Sequence, residues 1–170
     1  MGRCELTPAR WEDIPLYMQI LDQGRRFQRA QGFVQWPDGC PRQELVEEDI
    51  RNGDGYAILA DGELAGYFCL CFDGDPAYPA IVGAWRYEES YAVVHRIAIS
   101  DAFRGQGLSG EVFHLIGELA KVRGVHVLRI DTHEDNLRMR HLVQKNGFAY
   151  CGTVIQSDGL RLAFDKKIEL

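Results

Sequence analysis

A short glycine-rich segment joins an apolar, strand-like run to an amphipathic, helix-like run, and its residue types suit the binding of a phosphate group. The segment reads Arg104-Gly105-Gln106-Gly107-Leu108-Ser109 and follows the apolar residues 97–99. Glycines allow several backbone N–H groups to converge on one point, and the helix that follows adds the positive end of its dipole. We therefore expect residues 104–109 to hold a phosphate or a pyrophosphate.

One class of ligand that fits this segment is a dinucleotide. The spacing Gly105-x-Gly107-x-x-Gly110 matches the dinucleotide-binding fingerprint, and Asp131 lies about 20 residues further on, where a ribose-binding acid would stand. In dinucleotide-binding folds, however, the glycines follow the strand almost directly, whereas residues 100–104 intervene here. Such folds also need several further strand–helix units, and only 39 residues follow Asp131. The context therefore disfavours a dinucleotide.

The second class of ligand is an acyl-coenzyme A, which is favoured by three stretches that occur in a fixed order. The loop 104–109, the strand-like run 125–131, and Asn136 followed by Lys145-Asn146-Gly147-Phe148 together resemble the GNAT N-acetyltransferase superfamily. The loop resembles the acyl-CoA pyrophosphate loop of that family, whose pattern is Arg/Gln-x-x-Gly-x-Gly/Ala. The resemblance covers residues 91 to about 155.

The sequence departs from the family pattern at two positions. Ser109 stands where Gly or Ala is usual, a small change that still permits close approach of a ligand. Val143 stands where many members carry a tyrosine, which removes the family's usual proton donor to the departing thiolate. His133 and Tyr91 are alternative donors. Water is a third, because a thiolate is a fairly good leaving group.

The resemblance implies that acetyl-CoA is bound by the loop and by its two neighbouring elements. The loop would hold the pyrophosphate mainly through backbone N–H groups. The preceding strand would offer backbone N–H and C=O groups to the pantetheine arm, and one such N–H would polarise the thioester carbonyl. Asn136 would either cap the helix that it opens or contact the pantetheine or the substrate. The expected acetyl-CoA-binding residues are Ile97, Ile99, Arg104, Gly105, Gln106, Gly107, Leu108, Ser109 and Asn136.

Acyl transfer to an amine needs a proton acceptor, and His95 is the candidate catalytic residue. A lysine-like amine has a pKa near 10.4, so presenting it neutral at pH 7 costs about 4–5 kcal/mol. Alternation along a strand predicts that His95 shares one face with Val93, Ile97 and Ile99, while Arg96 faces the other way. There it needs a partner, for which a structural ion pair is favoured and an acidic group of the substrate is the alternative. An unperturbed histidine would place the acidic limb of the rate profile near pH 6.5. A packed or half-exposed histidine is the alternative interpretation.

Other residues could contribute to an acceptor pocket. The segment Gln35-Trp36-Pro37 lies in a region that lines this pocket in the family, and Trp85 and Glu88-Glu89 precede the His95 strand, where acids could attract a cationic acceptor. Packed aromatic side chains and solvated acids are the alternatives.

The elements that must position these residues follow from hydrophobic periodicity and turn residues. Apolar spacing predicts helices over about 11–30, 41–52, 107–123 and 135–146, and strands over 3–7, 56–60, 64–72, 91–99, 125–131, 148–155 and 160–166. Asp61-Gly62 predicts a tight hairpin turn, and residues 73–89 are predicted to be irregular. The order β-α-α-β-β-β-α-β-α-β-β predicts a mixed α/β sheet with helices on both sides. The GNAT resemblance implies the same order, with strands 91–99 and 125–131 parallel and splayed apart.

Size and composition predict a single globular domain over residues 1–170. The chain is 46% apolar and 26% charged, which is ordinary, and its apolar runs fall short of the roughly 18 residues of a membrane span. The five cysteines are odd in number and lack zinc-ligand spacing, so we expect a cytoplasmic protein with reduced thiols and no metal. A net charge of −6 disfavours nucleic acid as a partner and is favourable to cationic substrates such as amines.

These observations predict an enzyme that transfers an acetyl group from acetyl-CoA to a primary amine of a small molecule or peptide. Direct attack in a ternary complex is expected, because no cysteine lies where a covalent acyl-enzyme would form. The alternative is a non-catalytic acyl-CoA-binding or sensing module with the same fold, an interpretation that Val143 supports. The final strand pair, 148–166, would leave a free edge, so a homodimer is also predicted.

Overall fold

The computed structural model describes residues 3–169, which form one mixed sheet flanked by helices. The strands are β1 Cys4–Pro8, β2 Gly55–Ala60, β3 Glu63–Cys71, β4 Val82–Gly83, β5 Tyr91–Ile99, β6 Val127–Thr132, β7 Ala149–Gln156 and β8 Gly159–Lys167. The helices are α1 Ile14–Ala30, α2 Gln43–Arg51, α3 Ser109–Val122 and α4 Leu137–Lys145. The predicted fold class is confirmed, and the structure adds one strand, β4, inside the segment predicted to be irregular.

The helices cover both faces of the sheet. On one face, Ile116 of α3 lies in a core cluster with Phe68 of β3. On the opposite face, Leu21 of α1 and Val46 of α2 lie in a second cluster with Tyr67 of β3. Successive residues of a strand point to opposite faces, so the neighbouring aromatic residues of β3 contribute to both cores. Among the helices of residues 3–169, none is both long and apolar enough to cross a membrane.

The predicted hairpin turn between β2 and β3 is confirmed by its backbone angles. Asp61 has φ of 51° and Gly62 has φ of 82°. Positive φ at both central positions defines a type I′ turn, whose twist matches that of the flanking strands. The turn fixes the pairing of β2 with β3, and β3 in turn carries β5, the strand that holds His95.

The strand order is β1-β2-β3-β5-β6-β8-β7-β4. The pairing of β5 with β6 is parallel, and α3 forms the crossover between them. At the far edge, β4 pairs with β7 through Val82–Thr153 and Gly83–Gly152. This short strand covers part of the edge that the sequence predicts to be free, and the homodimer remains a prediction.

The parallel strands β5 and β6 separate part of the way along their length, as the family resemblance implies. They pair only from Tyr91–Val127 to Val93–Arg129. Beyond that point β5 continues beside β3 to Ile99, whereas β6 continues beside β8 to Thr132. The second half of β5 therefore borders a gap in the sheet.

A β-bulge at Arg96 changes the direction of the side chains along β5. Tyr67 pairs with Ala98 and Cys69 with His95, so a single β3 residue opposes both Arg96 and Ile97. Arg96 has φ of 52°, in the left-handed region that few non-glycine residues adopt.

The bulge makes the predicted face assignment wrong. Ile97 and Ile99 pack against the α3 core together with Val94, whereas Val93 lies in a cluster on the other side of the sheet. Side chains alternate between the two faces along a strand, and one extra residue reverses that alternation. The side chain of His95 therefore lies on the opposite face of the sheet from those of the two isoleucines.

Candidate active site

A cavity of about 140 Å³ opens between α1, the start of α3 and the start of α4. We term it the loop cavity. Eight of the nine residues expected to bind acetyl-CoA line it, namely Ile97, Ile99, Arg104, Gly105, Gly107, Leu108, Ser109 and Asn136. The ninth, Gln106, directs its side chain back into the loop, where Nε2 donates a hydrogen bond to the carbonyl oxygen of Ala102 at 3.0 Å.

The two loop glycines are required by backbone conformation and leave open space beside them. Gly105 has φ of 81° and Gly107 has φ of 74°. Apart from the glycine itself and its two chain neighbours, no described residue has an atom within 4 Å of a Cβ built on either position. The loop therefore presents bare backbone to the cavity, as a pyrophosphate cradle requires.

The first turn of α3 supports the same use. Leu108 occupies the N-cap position and provides no side-chain cap, so within the described chain the first-turn N–H groups remain available to an anion. The one acidic residue of that turn, Glu111, is directed elsewhere, because its Oε1 accepts a hydrogen bond from the backbone N–H of Cys4 at 2.6 Å. These residues fit a bound pyrophosphate.

Arg104 stabilises the loop through its side chain. Its guanidinium pairs with Asp101, donates to the carbonyl oxygen of Ile99 at 2.9 Å, and lies over the ring of Phe27 at 4.1 Å. The Ile99 carbonyl, expected to receive the pantetheine arm, thus already accepts one hydrogen bond. Arg138 of α4 approaches the same ring from 5.6 Å and is exposed at the cavity wall.

Asn136 caps α4. It is buried, and its Oδ1 accepts a hydrogen bond from the backbone N–H of Met139 at 3.1 Å. The same residue lines both the loop cavity and a second cavity, so capping places it where the two cavities meet. The capping interpretation from the sequence is therefore confirmed.

The second cavity, of about 400 Å³, lies at the gap between β5 and β6, and we term it the His95 cavity. Its volume falls in the range of about 300–1,000 Å³ that small-molecule sites occupy. It shares five wall residues with the loop cavity, namely Gln28, Trp36, Ile97, Asn136 and Met139. The two cavities are thus neighbours across the second half of β5.

The loop between α1 and α2 closes one side of both cavities. Gln35 accepts hydrogen bonds through Oε1 from Thr132 Oγ1 and from the backbone N–H of His133, both at 3.0 Å. The Trp36 N–H donates to Gln28 Oε1 at 3.1 Å. Of the predicted trio, Gln35 and Trp36 line the His95 cavity, whereas Pro37 is not among its wall residues.

His95 lies in the His95 cavity with its Nε2 atom 3.7 Å from Asp75 Oδ2 and a quarter of its side chain exposed. Burial, the largest cause, and the positive charge of Arg96 together lower the pKa of His95 to about 4, although the Asp75 and Asp49 carboxylates act in the opposite direction. At pH 7 the imidazole is therefore neutral. The expectation of an acidic limb near pH 6.5 needs correction, because the cavity disfavours the charged form.

The lowered pKa of the half-buried His95 predicts that acid destabilises the fold. The pKa of His95 is lower in the folded than in the unfolded chain. Its contribution to the free energy of unfolding is therefore fully present above pH 6.5 and is lost as the pH falls towards 4. The loss is at most about 3 kcal/mol. We expect His95→Gln to reduce the pH dependence of the free energy of unfolding between pH 6.5 and 4, as measured by urea titration. His141→Gln, at an exposed position of α4, is the control; an equal slope in wild type and His95→Gln would contradict the assignment.

Asp75, which lies beside His95, and Asp131, another wall residue of the same cavity, are joined by one amide group. Gln156 Nε2 donates to Asp75 Oδ2 and to Asp131 Oδ2, each at 3.1 Å. Asp131 Oδ2 also accepts from the Tyr78 hydroxyl at 2.8 Å. Burial raises the pKa of Asp131, whereas the hydrogen bonds from Tyr78 and Gln156 act to lower it. Asp131, the residue that a dinucleotide site would use, thus belongs to the His95 cavity.

Arg96 forms the ion pair that the sequence predicts. Its Nε donates to Asp49 Oδ2 at 3.0 Å and its Nη2 donates to Asp49 Oδ1 at 2.5 Å. The Tyr67 hydroxyl donates to the same carboxylate at 2.7 Å. This buried cluster connects α2 to the bulge of β5 and holds the strained residue in place.

Several other candidates lie outside both cavities. Tyr91 packs against Tyr78 and below the Arg129 guanidinium. His133 stacks on Phe33, and its Nδ1 accepts a hydrogen bond from the Asp135 N–H. Neither residue is a wall residue of the two cavities, and Val143 is fully buried in the core.

The aromatic and acidic residues before β5 do not line either cavity. Trp85 is buried, and its Nε1 donates to the Tyr78 carbonyl at 3.1 Å. Glu88 is exposed, and Glu89 pairs with Lys167. Trp85 is therefore a packed core residue, and the two glutamates are surface acids, as the alternative interpretation from the sequence had it.

Sequence reasoning missed Asp75, Gln156, Phe27 and Arg138. Met139 and Leu142, at helical spacing from Asn136, carried a usable signal, because that face of α4 had to meet the loop. The acidic residue and the glutamine come from segments 81 positions apart, and no local pattern connects them.

Comparison with known proteins assigns the class. The chain matches the model of the Acetyltransferase (GNAT) family over residues 21–148. A crystal structure of a GNAT-family acetyltransferase from Streptococcus agalactiae 2603 superposes with a TM-score of 0.88 and 34% sequence identity, covering 98% of this chain and 96% of that chain. This chain belongs to the GNAT acetyltransferase family. It is an acetyl-CoA-dependent N-acetyltransferase.

Two relatives are similar at the sequence level. YesJ of Bacillus subtilis, an uncharacterized N-acetyltransferase, is 26% identical over 168 residues, which are 95% of this chain and 88% of YesJ. The L-methionine sulfoximine/L-methionine sulfone acetyltransferase of Pseudomonas aeruginosa is 30% identical over 114 residues, which are 64% of this chain and 59% of that protein.

Proposed function

We propose that this enzyme binds acetyl-CoA in the loop cavity and transfers the acetyl group to a primary amine held in the His95 cavity, by direct attack in a ternary complex. The observation that carries the proposal is the arrangement of two neighbouring cavities, one with bare glycine backbone at a helix start and one with a neutral histidine beside a carboxylate. A cytoplasmic location and a homodimer, predicted from the sequence, belong to the same proposal.

In this proposal the loop and the β5 strand position the donor. Backbone N–H groups of residues 105–109 hold the pyrophosphate, and Ile97 and Ile99 guide the pantetheine arm towards the gap between β5 and β6. When bound, acetyl-CoA supplies an activated acetyl group as a thioester. Backbone N–H groups of the bulge, which β6 does not pair, are suited to polarise the thioester carbonyl.

His95 is the proposed acceptor of the proton that the amine loses. It is neutral at pH 7, and Asp75, 3.7 Å away, stabilises the imidazolium that forms. The low pKa of His95 makes that imidazolium acidic, so the proton passes on readily to solvent. The departing thiolate takes its proton from water in this account.

The experiment that tests this function measures release of CoA from acetyl-CoA over a panel of primary amines, with acetyl-CoA binding followed in parallel by calorimetry. Turnover with at least one amine supports the enzyme. Tight acetyl-CoA binding without turnover over a panel of alkylamines, diamines, amino acids and peptides would instead support the sensing module.

Replacement of His95 tests its role. We expect His95→Ala to lower kcat by about 100-fold while acetyl-CoA affinity stays nearly unchanged, since general-base catalysis contributes 10²–10⁴-fold. His95→Gln should do no better, because glutamine cannot take the proton. In the wild-type enzyme, the acidic limb of the rate-versus-pH profile that reports His95 should lie near pH 4. Wild-type turnover by a folded His95→Ala protein would remove this residue from the mechanism.

A further inference from the structure

The His95 cavity contains two carboxylates, Asp75 and Asp131, that form no ion pair with the arginines of its wall. Asp75 is buried, and its Oδ1 accepts a hydrogen bond from the Ala77 N–H at 2.8 Å, while Oδ2 accepts from Gln156. Asp131 Oδ2 accepts from Gln156 and Tyr78, and its Oδ1 has no hydrogen-bond partner among residues 3–169. Neither carboxylate forms an ion pair with a lysine or arginine of that range.

The arginines of the cavity are already committed to other carboxylates. Arg96 is held by both oxygens of Asp49. Arg161 pairs with Asp158 at 2.6 Å, and its remaining hydrogen bonds go to backbone carbonyls. Buried charges in proteins are normally paired, because an unpaired one forfeits its hydration. A cation supplied by a ligand would complete the cavity.

That cation is better suited to hold the acceptor than to react. An ammonium beside carboxylates has a raised pKa, because opposite charges favour the charged form. The attacking amine must be neutral, so an amine held between Asp75 and Asp131 is in the wrong protonation state to attack. A second, non-reacting ammonium of the same acceptor fits the pair.

Part of the cavity wall is apolar. Pro41, Leu45 and Pro76 contribute to it, and Leu45 remains 40% exposed. Such walls match a methylene chain and offer nothing to a carboxylate. Resting on the proposed function, we propose that the acceptor is an aliphatic diamine or polyamine whose distal ammonium is bound by Asp75 and Asp131 while its other amine reacts beside His95.

The first experiment compares acceptors of matched length. Steady-state kcat/KM is measured for 1,5-diaminopentane, 5-amino-1-pentanol, pentylamine and L-methionine sulfone at saturating acetyl-CoA. The diamine is expected to exceed both monoamines by about 30-fold or more, the lower end of the effect of removing one partner from a buried charge pair. Equal kcat/KM for diamine and monoamines, or a preference for the amino acid, would overturn the proposal.

The second experiment changes Asp131, the carboxylate of the pair that does not face His95 in the proposed proton transfer. Asp131→Asn removes the charge and keeps the shape and one acceptor oxygen, which can still accept from Tyr78 and Gln156. It is expected to lower kcat/KM for the diamine, mainly through KM, towards the value for the monoamines, with the monoamine values changed less than about threefold. Glu134→Gln, at an exposed position outside the cavity, is the control and should change none of them.

The outcomes separate the two proposals. If no amine supports CoA release, the proposed function fails and the acceptor class fails with it. If the monoamines react as well as the diamine, the function stands and the diamine assignment is overturned. An equal loss for diamine and monoamines in Asp131→Asn would assign the carboxylate to positioning of His95 and would also overturn the diamine assignment.

Discussion

Replacing Gly107 with aspartate is expected to lower acetyl-CoA affinity by at least about 100-fold in a protein that remains folded. The added carboxylate would stand where the pyrophosphate must lie, and like charges about 4 Å apart repel by about 4 kcal/mol at an effective dielectric of 20. Because a Cβ at this position would meet no described residue other than its chain neighbours within 4 Å, the fold itself has room for the side chain. Calorimetric titration with acetyl-CoA gives the affinity.

The chain offers a matched control for the backbone strain. Gly124, at the end of α3 and outside the loop cavity, has the same φ of 74° and equally open surroundings. Gly124→Asp therefore imposes the same left-handed conformation on an aspartate, at about 1–2 kcal/mol, without touching the ligand. Unchanged acetyl-CoA affinity in a folded Gly107→Asp protein would remove the loop from the binding site.

Replacing Asp49 with alanine is expected to destabilise the protein by about 3–5 kcal/mol, because it leaves the Arg96 guanidinium buried and unpaired. The same change removes the acceptor of the Tyr67 hydroxyl. A loss of this size is a large part of the 5–15 kcal/mol that stabilises an ordinary domain. Urea unfolding followed by circular dichroism measures it.

Two further variants separate the buried pair from general effects. Asp49→Ala combined with Arg96→Met should recover part of the loss, since no charge is then left unpaired. Glu12→Ala, which breaks the exposed pair with Arg10, should cost less than about 1 kcal/mol. A loss below 1 kcal/mol for Asp49→Ala would show that the pair does not stabilise the bulge.

The proposed donor half of the candidate site was predictable because its features are local. Glycines at positions 105 and 107 followed by an amphipathic helix predict a loop, a helix start and a place for an anion within one short stretch. Asn136, at the start of α4, was likewise predictable from its position before a helical pattern. These features need no information from distant parts of the chain.

The His95 cavity, the proposed acceptor half, was not predictable because it is built from pairings across the fold. Residues 91–99 show an uninterrupted strand pattern, and the bulge at Arg96 depends on Asp49 of α2, which the strand sequence does not contain.

The strand β4 was also not predictable from its own sequence. The pairing of β4 with β7 depends on a close approach at Gly83 and Gly152, where a Cβ on either would clash with backbone. Turn-rich sequence alone predicted that segment to be irregular.

A crystal structure with CoA bound tests the proposed donor site most directly. We expect pyrophosphate oxygens within hydrogen-bond distance of the backbone N–H groups of residues 105–109, and the CoA sulfur at the shared wall of the two cavities, beside Ile97 and Asn136. A CoA whose pyrophosphate lies away from that loop, or whose sulfur is directed away from the His95 cavity, would contradict it.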